Sequence, residues 1–241
     1  MPTYLDHAVV LLFAVLAPIY GLWSAPRIER DLAAGRPNVR ARLYLQTIAL
    51  QCGFTAIAMT IWIVQGRRLI LLGLAPGEGV AFWTAAGLLV VGAGFMVAQV
   101  IRVRRSEPAR QKVRSQLAHV ESILPRTPPE RRAFLALAVS SGVCEEILYR
   151  SYLIWWGLNF LPTWAAIVGS AAAFGFAHLY QGLDNAMRLF SLGVVFGAIY
   201  WLTGSIWLPM AAHVIIDVAS GLTAYEALKK RPATANAPAI H

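Results

Sequence analysis

Charged residues are scarce in this sequence, and their scarcity excludes an ordinary soluble protein. Only 14% of the 241 residues are Asp, Glu, Lys or Arg, whereas 58% are hydrophobic. In an average soluble domain about a quarter of the residues are charged. Cysteine is scarcer still: Cys52 and Cys144 both lie in apolar runs, which excludes a disulfide scaffold. The composition predicts an all-α fold, a polytopic transmembrane helical bundle of about seven to eight spans.

Acidic residues are also few, 12 against 21 basic ones, so the formal net charge is +9. The basic residues cluster at positions 27–42, 102–132 and 229–231, between long uncharged stretches. Membrane proteins mark their cytoplasmic loops with such clusters, whereas a nucleic-acid-binding domain shows a basic face on a soluble fold. We therefore predict that the chain has the lipid bilayer as its partner and binds no nucleic acid.

The uncharged stretches define the predicted spans. Residues 8–26, 43–66 and 79–101 each have about the 20 residues that a transmembrane helix needs. In residues 109–124 the apolar residues share one helix face and basic residues occupy the rest, which predicts a basic interfacial helix. Four further spans are predicted after position 127; residues 127–161 form either one long helix, with residues 140–142 as the candidate kink, or two shorter ones. With seven spans most basic residues lie on one side, so the N-terminus is expected outside and the C-terminus in the cytoplasm.

Ionisable side chains inside apolar segments are costly and mark functional sites. The second half of the chain has six of them: Glu145, Glu146, Arg150, His178, His213 and Asp217. Residues four apart share a helix face, so Glu146 and Arg150 are predicted to form an ion pair, which leaves Glu145 for chemistry. His213 and Asp217 likewise share a face of the last span.

Three helices could bring Glu145, His178 and His213 to one point. A carboxylate and an imidazole beside a water molecule are the components of general-base hydrolysis. The same three side chains are also candidate ligands of Zn²⁺, with an open fourth position. The alternative for each residue is a structural one, a buried ion pair or hydrogen bond. Cys144 is expected to be a core residue rather than a nucleophile, and Tyr149 is a candidate hydrogen-bond partner of Glu145.

Three motifs in a fixed order resemble a known family. They are Glu145-Glu146-x-x-x-Arg150, Phe174-x-x-x-His178 and His213-x-x-x-Asp217, each on a separate apolar segment. This pattern resembles the CPBP family of intramembrane proteases, which are related to the CAAX prenyl endopeptidase Rce1 and are also called the ABI domain. The resemblance divides the chain into N-terminal spans with the interfacial helix (1–126), a catalytic helical bundle (127–225) and a cytoplasmic tail (226–241).

The resemblance implies a role for each motif. Glu145 would activate the attacking water with His178 as its partner, and His213 and Asp217 would stabilise the oxyanion. The predicted ion pair would support the site. At position 217 the eukaryotic members have Asn, whose amide donates a hydrogen bond to an oxyanion, whereas ionised Asp cannot. Asp217 is therefore expected to orient His213; the alternatives are that it is protonated or helps to bind a cation.

The expected function is an intramembrane endopeptidase that hydrolyses a peptide bond of a membrane-associated or CAAX-like peptide or protein at the cytoplasmic side. Both a metalloprotease with Zn²⁺ and a glutamate protease are compatible with the residues. The alternatives are a proton-coupled transporter and a non-catalytic membrane scaffold. Residue usage favours a bacterial inner membrane. Gly193 and Gly197 form a GxxxG motif, for which packing inside the bundle is favoured over a homodimer contact.

Overall fold

The computed structural model describes residues 1–117 and 120–229, and every regular element in these ranges is helical. Its eight helices are α1 (Tyr4–Ala33), α2 (Val39–Val64), α3 (Gly79–Arg105), α4 (Glu107–Leu117), α5 (128–157), α6 (Thr163–Ala177), α7 (Leu183–Thr203) and α8 (Trp207–Leu228). The predicted all-α membrane bundle is thus confirmed. Most of the predicted tail, residues 230–241, lies outside the described residues, including the basic residues Lys230 and Arg231.

Five of these helices, α1, α2, α3, α7 and α8, are long and apolar enough to cross a membrane. The chain is therefore an integral multi-pass membrane protein. The helices extend beyond the predicted spans. Helix α1, for example, continues past the predicted end of the first span at residue 26 to Ala33, and its last turns are polar. The full count of seven spans would add α5, whose first turn is charged, and the 15-residue α6, and it stays a prediction.

Helix α5 begins as its sequence indicates and continues without a break through residues 140–142. The hydroxyl of Thr127 accepts from the Glu130 N–H at 3.4 Å, and the Glu130 carboxylate accepts from the Thr127 N–H at 3.0 Å. The helix is α-helical from Pro128 to Glu145, π-helical over Glu146–Leu153, and α-helical again over Ile154–Gly157. The kink at residues 140–142 stays a prediction, and the change to a π-helix lies one turn later, where the functional residues are.

Gly142 has a packing role. A Cβ atom at this position would lie 2.4 Å from Val214 Cγ2 and 2.8 Å from the Val214 backbone nitrogen. Only a glycine lets α5 and α8 approach this closely. The contact lies beside His213, so it brings the carboxylates of α5 to the imidazole of α8.

The two glycines of the GxxxG motif also pack inside the bundle. A Cβ at Gly193 would lie 3.1 Å from Ala171, and one at Gly197 would lie 2.8 Å from Ile167 Cγ2. Both neighbours belong to α6 of the same chain. The favoured interpretation, close packing of α7 on α6, therefore accounts for the motif, and a homodimer stays a prediction without support from these glycines.

A buried ionic cluster lies near the start of α1, which the sequence analysis did not anticipate. Asp6 is fully buried and accepts hydrogen bonds from Arg67 Nη1 and Nη2 at 2.7 and 2.6 Å and from the Tyr152 hydroxyl at 2.5 Å. The hydrogen bonds to Asp6 raise the pKa of Arg67, which lies in the loop after α2. The cluster joins α1, this loop and α5, so its role is structural.

The predicted interfacial helix, residues 109–124, is α-helical where α4 is described, Glu107–Leu117, and forms a 3₁₀ turn at Glu121–Ile123. Residues 118 and 119 lie outside the described residues. The apolar residue Val113 of α4 packs against Val103 of α3 and Ala227 of α8. The apolar face of α4 is therefore covered at least in part by the protein itself.

Candidate active site

The site begins where α5 changes from α-helical to π-helical. Glu146 is completely buried, whereas the side chain of Glu145 is 16% exposed. Consecutive helical residues point about 100° apart, so one carboxylate faces the core and its neighbour faces the opening. The difference in exposure agrees with the predicted division between a supporting acid and an accessible one.

Glu146 contacts a cation on its own helix and an imidazole on another. Its Oε2 lies 3.2 Å from Arg150 Nε, so the predicted ion pair is confirmed. Its Oε1 lies 2.8 Å from His213 Nδ1, a contact between α5 and α8 that the helical-face argument did not include. Because a carboxylate only accepts, His213 donates through Nδ1–H. Glu146 therefore fixes the orientation of this ring.

The guanidinium of Arg150 lies among aromatic rings. Its Cζ is 4.2 Å from the ring centroid of Phe174 and 5.6 Å from that of Phe196. Among the described residues its N–H groups have no acceptor in hydrogen-bonding geometry. The charge is thus held by Glu146 and by cation–π contacts, and removing Glu146 would leave it buried and uncompensated.

The other nitrogen of His213 faces two carboxylates. Its Nε2 lies 3.8 Å from Glu145 Oε2 and 3.6 Å from Asp217 Oδ2. The side chain of Asp217 is 36% exposed, so this is the open side of the site. The fold thus brings together Glu145, His213 and Asp217, as the sequence predicted. Glu146, however, makes a shorter contact with the ring than Asp217, the residue expected to orient it.

His178 lies at the end of α6, beyond Phe174. Its Nδ1 lies 2.8 Å from the Phe174 carbonyl oxygen, which can only accept, so Nδ1 carries the proton and Nε2 has the free lone pair. The Phe174 ring contacts both imidazoles, with centroid distances of 4.7 Å to His178 and 6.0 Å to His213. His178 is also an electrostatic neighbour of Glu145. In the Phe-x-x-x-His motif, the Phe174 ring thus packs against both imidazoles, and the Phe174 carbonyl oxygen accepts a hydrogen bond from His178.

The metal candidates do not form a metal site. Within residues 1–117 and 120–229, no three His, Cys, Asp or Glu side chains are grouped so that they could hold a metal ion. The set of Glu145, His178 and His213 therefore does not fit Zn²⁺ in this arrangement.

Two other candidates of the sequence analysis take part in packing. The Tyr149 hydroxyl lies 3.5 Å from the Phe13 carbonyl oxygen of α1, so the expected hydrogen bond to Glu145 is replaced by this contact. Cys144 is buried, and its Sγ lies 3.8 Å from that of Cys52 on α2. Cys144 is thus the core residue that was expected.

One residue at the site was missed. Gln51, in the middle of α2, is buried and faces Glu145 together with Ser140 and Ser141 of α5. The sequence does indicate a polar contact here, because an amide inside an apolar span needs hydrogen-bond partners. Gln51 is not ionisable, however, so it was not among the predicted site residues, and the two serines were interpreted as part of a kink.

Comparison with protein families gives one match. Residues 129–219 match the family described as type II CAAX prenyl endopeptidase Rce1-like. No curated protein and no solved structure matches the chain. The matched segment includes the three motifs on α5, α6 and α8 but not Gln51. The segment that carries the three motifs is therefore similar to the Rce1-like family of CAAX-type proteases, as the motifs indicated.

Proposed function

We propose that this protein is an intramembrane endopeptidase in which Glu145 is the general base. One observation carries the proposal: Glu145, partly exposed, lies 3.8 Å from the Nε2 atom of His213, whose other nitrogen is held by a buried carboxylate. A base and an oriented imidazole on either side of an accessible position are what hydrolysis by an activated water requires.

The proposed reaction has two proton transfers. Glu145 takes a proton from a water molecule, and the water oxygen bonds to the carbonyl carbon of the peptide. The carbonyl oxygen becomes an oxyanion, which accepts a hydrogen bond from protonated Nε2 of His213. Glu145 then gives its proton to the amide nitrogen as the C–N bond breaks, which releases an amine and a carboxylic acid.

His178 and Asp217 would assist this cycle. The free Nε2 lone pair of His178 can accept a hydrogen bond from the same water, because Phe174 holds the proton on the other nitrogen. Asp217, beside His213 Nε2, would hold the ring in the resting enzyme and move aside when an oxyanion forms. Its negative charge gives no stabilisation to an oxyanion, so its contribution is to orientation.

We further propose that the substrate is a CAAX-type peptide reached from the cytoplasmic side. The family match supports the substrate class, and the basic clusters support the orientation. Labelling of Ser106→Cys and Glu78→Cys with a membrane-impermeant maleimide tests the orientation, because these positions flank α3. Ser106→Cys should react only from the cytoplasmic side and Glu78→Cys only from the other.

The activity is tested with purified protein in lipid vesicles. The probes are a quenched-fluorescent peptide with a farnesylated CAAX terminus and an unbiased peptide library. We expect the wild type to cleave, and Glu145→Gln to lose about 10²- to 10⁴-fold in kcat, the usual contribution of a general base. Glu121→Gln, at an exposed ion pair with Arg126, is the matched control and should cleave normally. Equal cleavage by Glu145→Gln, or none by the wild type, would contradict the proposal.

A chelator in the same assay distinguishes the two mechanistic classes. The proposal predicts that cleavage persists after treatment with 1,10-phenanthroline, because Glu145 and the two imidazoles suffice. Loss of cleavage on chelation and its return on adding Zn²⁺ would show that the site rearranges around a metal ion. The hydrolase assignment would survive that result, but the glutamate mechanism would not.

A further inference from the structure

We propose that Gln51 of α2 is a positioning residue that fixes the carboxylate of Glu145. The proposal rests on the proposed function, in which Glu145 is the base. Nothing in the three motifs includes Gln51, and it lies 78 residues before the matched segment begins at residue 129. Its role follows from four polar contacts across the interface between α2 and α5.

The neighbours of the Gln51 amide determine its orientation. One atom of the amide lies 3.2 Å from the Ser141 backbone nitrogen, which can only donate, so this atom is the oxygen. The same oxygen accepts from the hydroxyls of Ser140 and Ser141 at 3.0 and 3.2 Å. The amide nitrogen then lies 3.2 Å from Glu145 Oε1 and donates to it. In this orientation the amide oxygen faces donors and the amide nitrogen faces an acceptor.

This contact gives the two oxygens of Glu145 different neighbours. Oε1 is held by Gln51, whereas Oε2 points to His213 Nε2, 3.8 Å away. The carboxylate is thus oriented on one side and available on the other. An amide can do this without adding a charge, whereas Lys or Arg at position 51 would pair with Glu145 and weaken it as a base.

Helix α2 is attached to α5 next to this contact and again near the start of both helices. Cys52 and Cys144, the sequence neighbours of Gln51 and Glu145, lie with their Sγ atoms 3.8 Å apart. Nearer the membrane surface, Arg40 lies 3.4 Å from Glu130. The amide is therefore presented by a docked helix rather than by a mobile one, which is what a positioning residue needs.

Two substitutions test the role. Gln51→Met keeps the length of the side chain and removes the donor, and Gln51→Asn keeps the amide on a shorter stem. We expect Gln51→Met to lose about 10- to 100-fold in kcat, the usual effect of removing a supporting hydrogen bond, with little change in KM. The acid limb of its pH–rate profile should move to higher pH, because the carboxylate has lost a donor. Gln51→Asn should recover part of the activity.

The matched control is Gln65→Met, the same change at the C-terminal end of the same helix. The Gln65 amide is exposed and donates to Thr3, so kcat and the pH profile should equal those of the wild type. All variants are compared by thermal unfolding in detergent. A Gln51→Met enzyme with wild-type kcat and pH profile would overturn the proposal, as would one whose activity falls with its melting temperature while its pH profile stays unchanged.

An infrared measurement separates this proposal from the proposed function. The carboxylate band of Glu145, assigned by its loss in Glu145→Gln, should shift in Gln51→Met and stay in place in Gln65→Met. This readout does not require turnover. If the wild type cleaves and the band does not move, only the positioning role fails. If the band moves and no peptide is cleaved, the contact is real and the peptidase assignment fails.

Discussion

Glu146 Oε1 lies 2.8 Å from His213 Nδ1, and this contact joins α5 to α8 at the centre of the site. The same carboxylate compensates the charge of Arg150. A single buried acid thus supports both the imidazole of the site and the guanidinium behind it. Its neighbour Glu145 makes neither of these contacts, and its side chain is partly exposed.

Replacing Glu146 should therefore affect both stability and activity. Glu146→Gln leaves the Arg150 charge buried without a counter-charge, which typically costs about 3–5 kcal/mol. It also removes the anionic acceptor of His213, so cleavage should be lost. Unfolding in denaturant measures the first effect. Glu121→Gln removes an acid from an exposed ion pair and should cost less than about 1 kcal/mol; equal losses in the two variants would contradict the role of Glu146.

Asp217→Asn should retain activity. Glu146 also orients His213 through Nδ1, the amide oxygen of Asn can still accept from Nε2 as Asp217 does, and the amide can donate to the oxyanion. We expect kcat to change by less than about tenfold, which corresponds to about 1.4 kcal/mol. Peptide cleavage by the purified variant measures this. Complete loss would show that the reaction needs the negative charge at position 217.

Gly142→Ala should separate α5 from α8. The added methyl would lie 2.4 Å from Val214 Cγ2, and overpacking of this kind costs about 1–3 kcal/mol. The melting temperature should fall, and cleavage should fall with it because His213 moves away from the carboxylates. Gly169→Ala is the control, since a Cβ there meets nothing within 4 Å and Ala favours helix by about 0.5–1 kcal/mol. Two equally stable variants would refute the close contact.

Acid should weaken the attachment at the surface end of α5. Burial alone would raise the pKa of Glu130, but hydrogen bonds from the N–H groups of Arg126 and Thr127, with the charge of Arg40, lower it overall. A pKa below that of the unfolded chain stabilises the fold at higher pH. This stability is lost as the pH falls below about 4.3, the ordinary value for Glu.

Thermal unfolding from pH 7 to pH 3 measures this effect against Glu130→Gln. The variant should be less stable than the wild type at neutral pH, and the difference should shrink as the pH falls, because protonation of Glu130 removes the charge that distinguishes the two side chains. A difference that stays constant with pH would show that the ionisation of Glu130 does not contribute.

Several features of the site could be predicted because they depend on neighbours in the chain. The Glu146–Arg150 ion pair and the shared face of His213 and Asp217 follow from the helical repeat, and both are present. The start of α5 follows from the residue types at its N-terminus, Thr127 and Glu130. Each of these contacts spans three or four residues, so no knowledge of the tertiary fold is needed.

Contacts between helices were predicted less well. The sequence pattern indicated a kink at residues 140–142, whereas the role of Gly142 that the fold shows is close packing on α8. Tyr149 contacts Phe13 of α1 instead of Glu145, since the π-helical segment turns its side chain and α1 provides an acceptor. In both cases the deciding partner lies far away in the sequence.

The amino-acid sequence alone determined that this protein lies in a lipid bilayer, that its fold is all-α, and which side chains are reactive. Uncharged stretches require helices in a bilayer, because no other segment satisfies its own backbone there, and a carboxylate or imidazole in such a stretch must have a partner. Only the tertiary structure decided which partner each one has. Glu146 contacts His213, 67 residues later in the chain, and Gln51 contacts Glu145, 94 residues later. Such contacts depend on how closely two helices can pack.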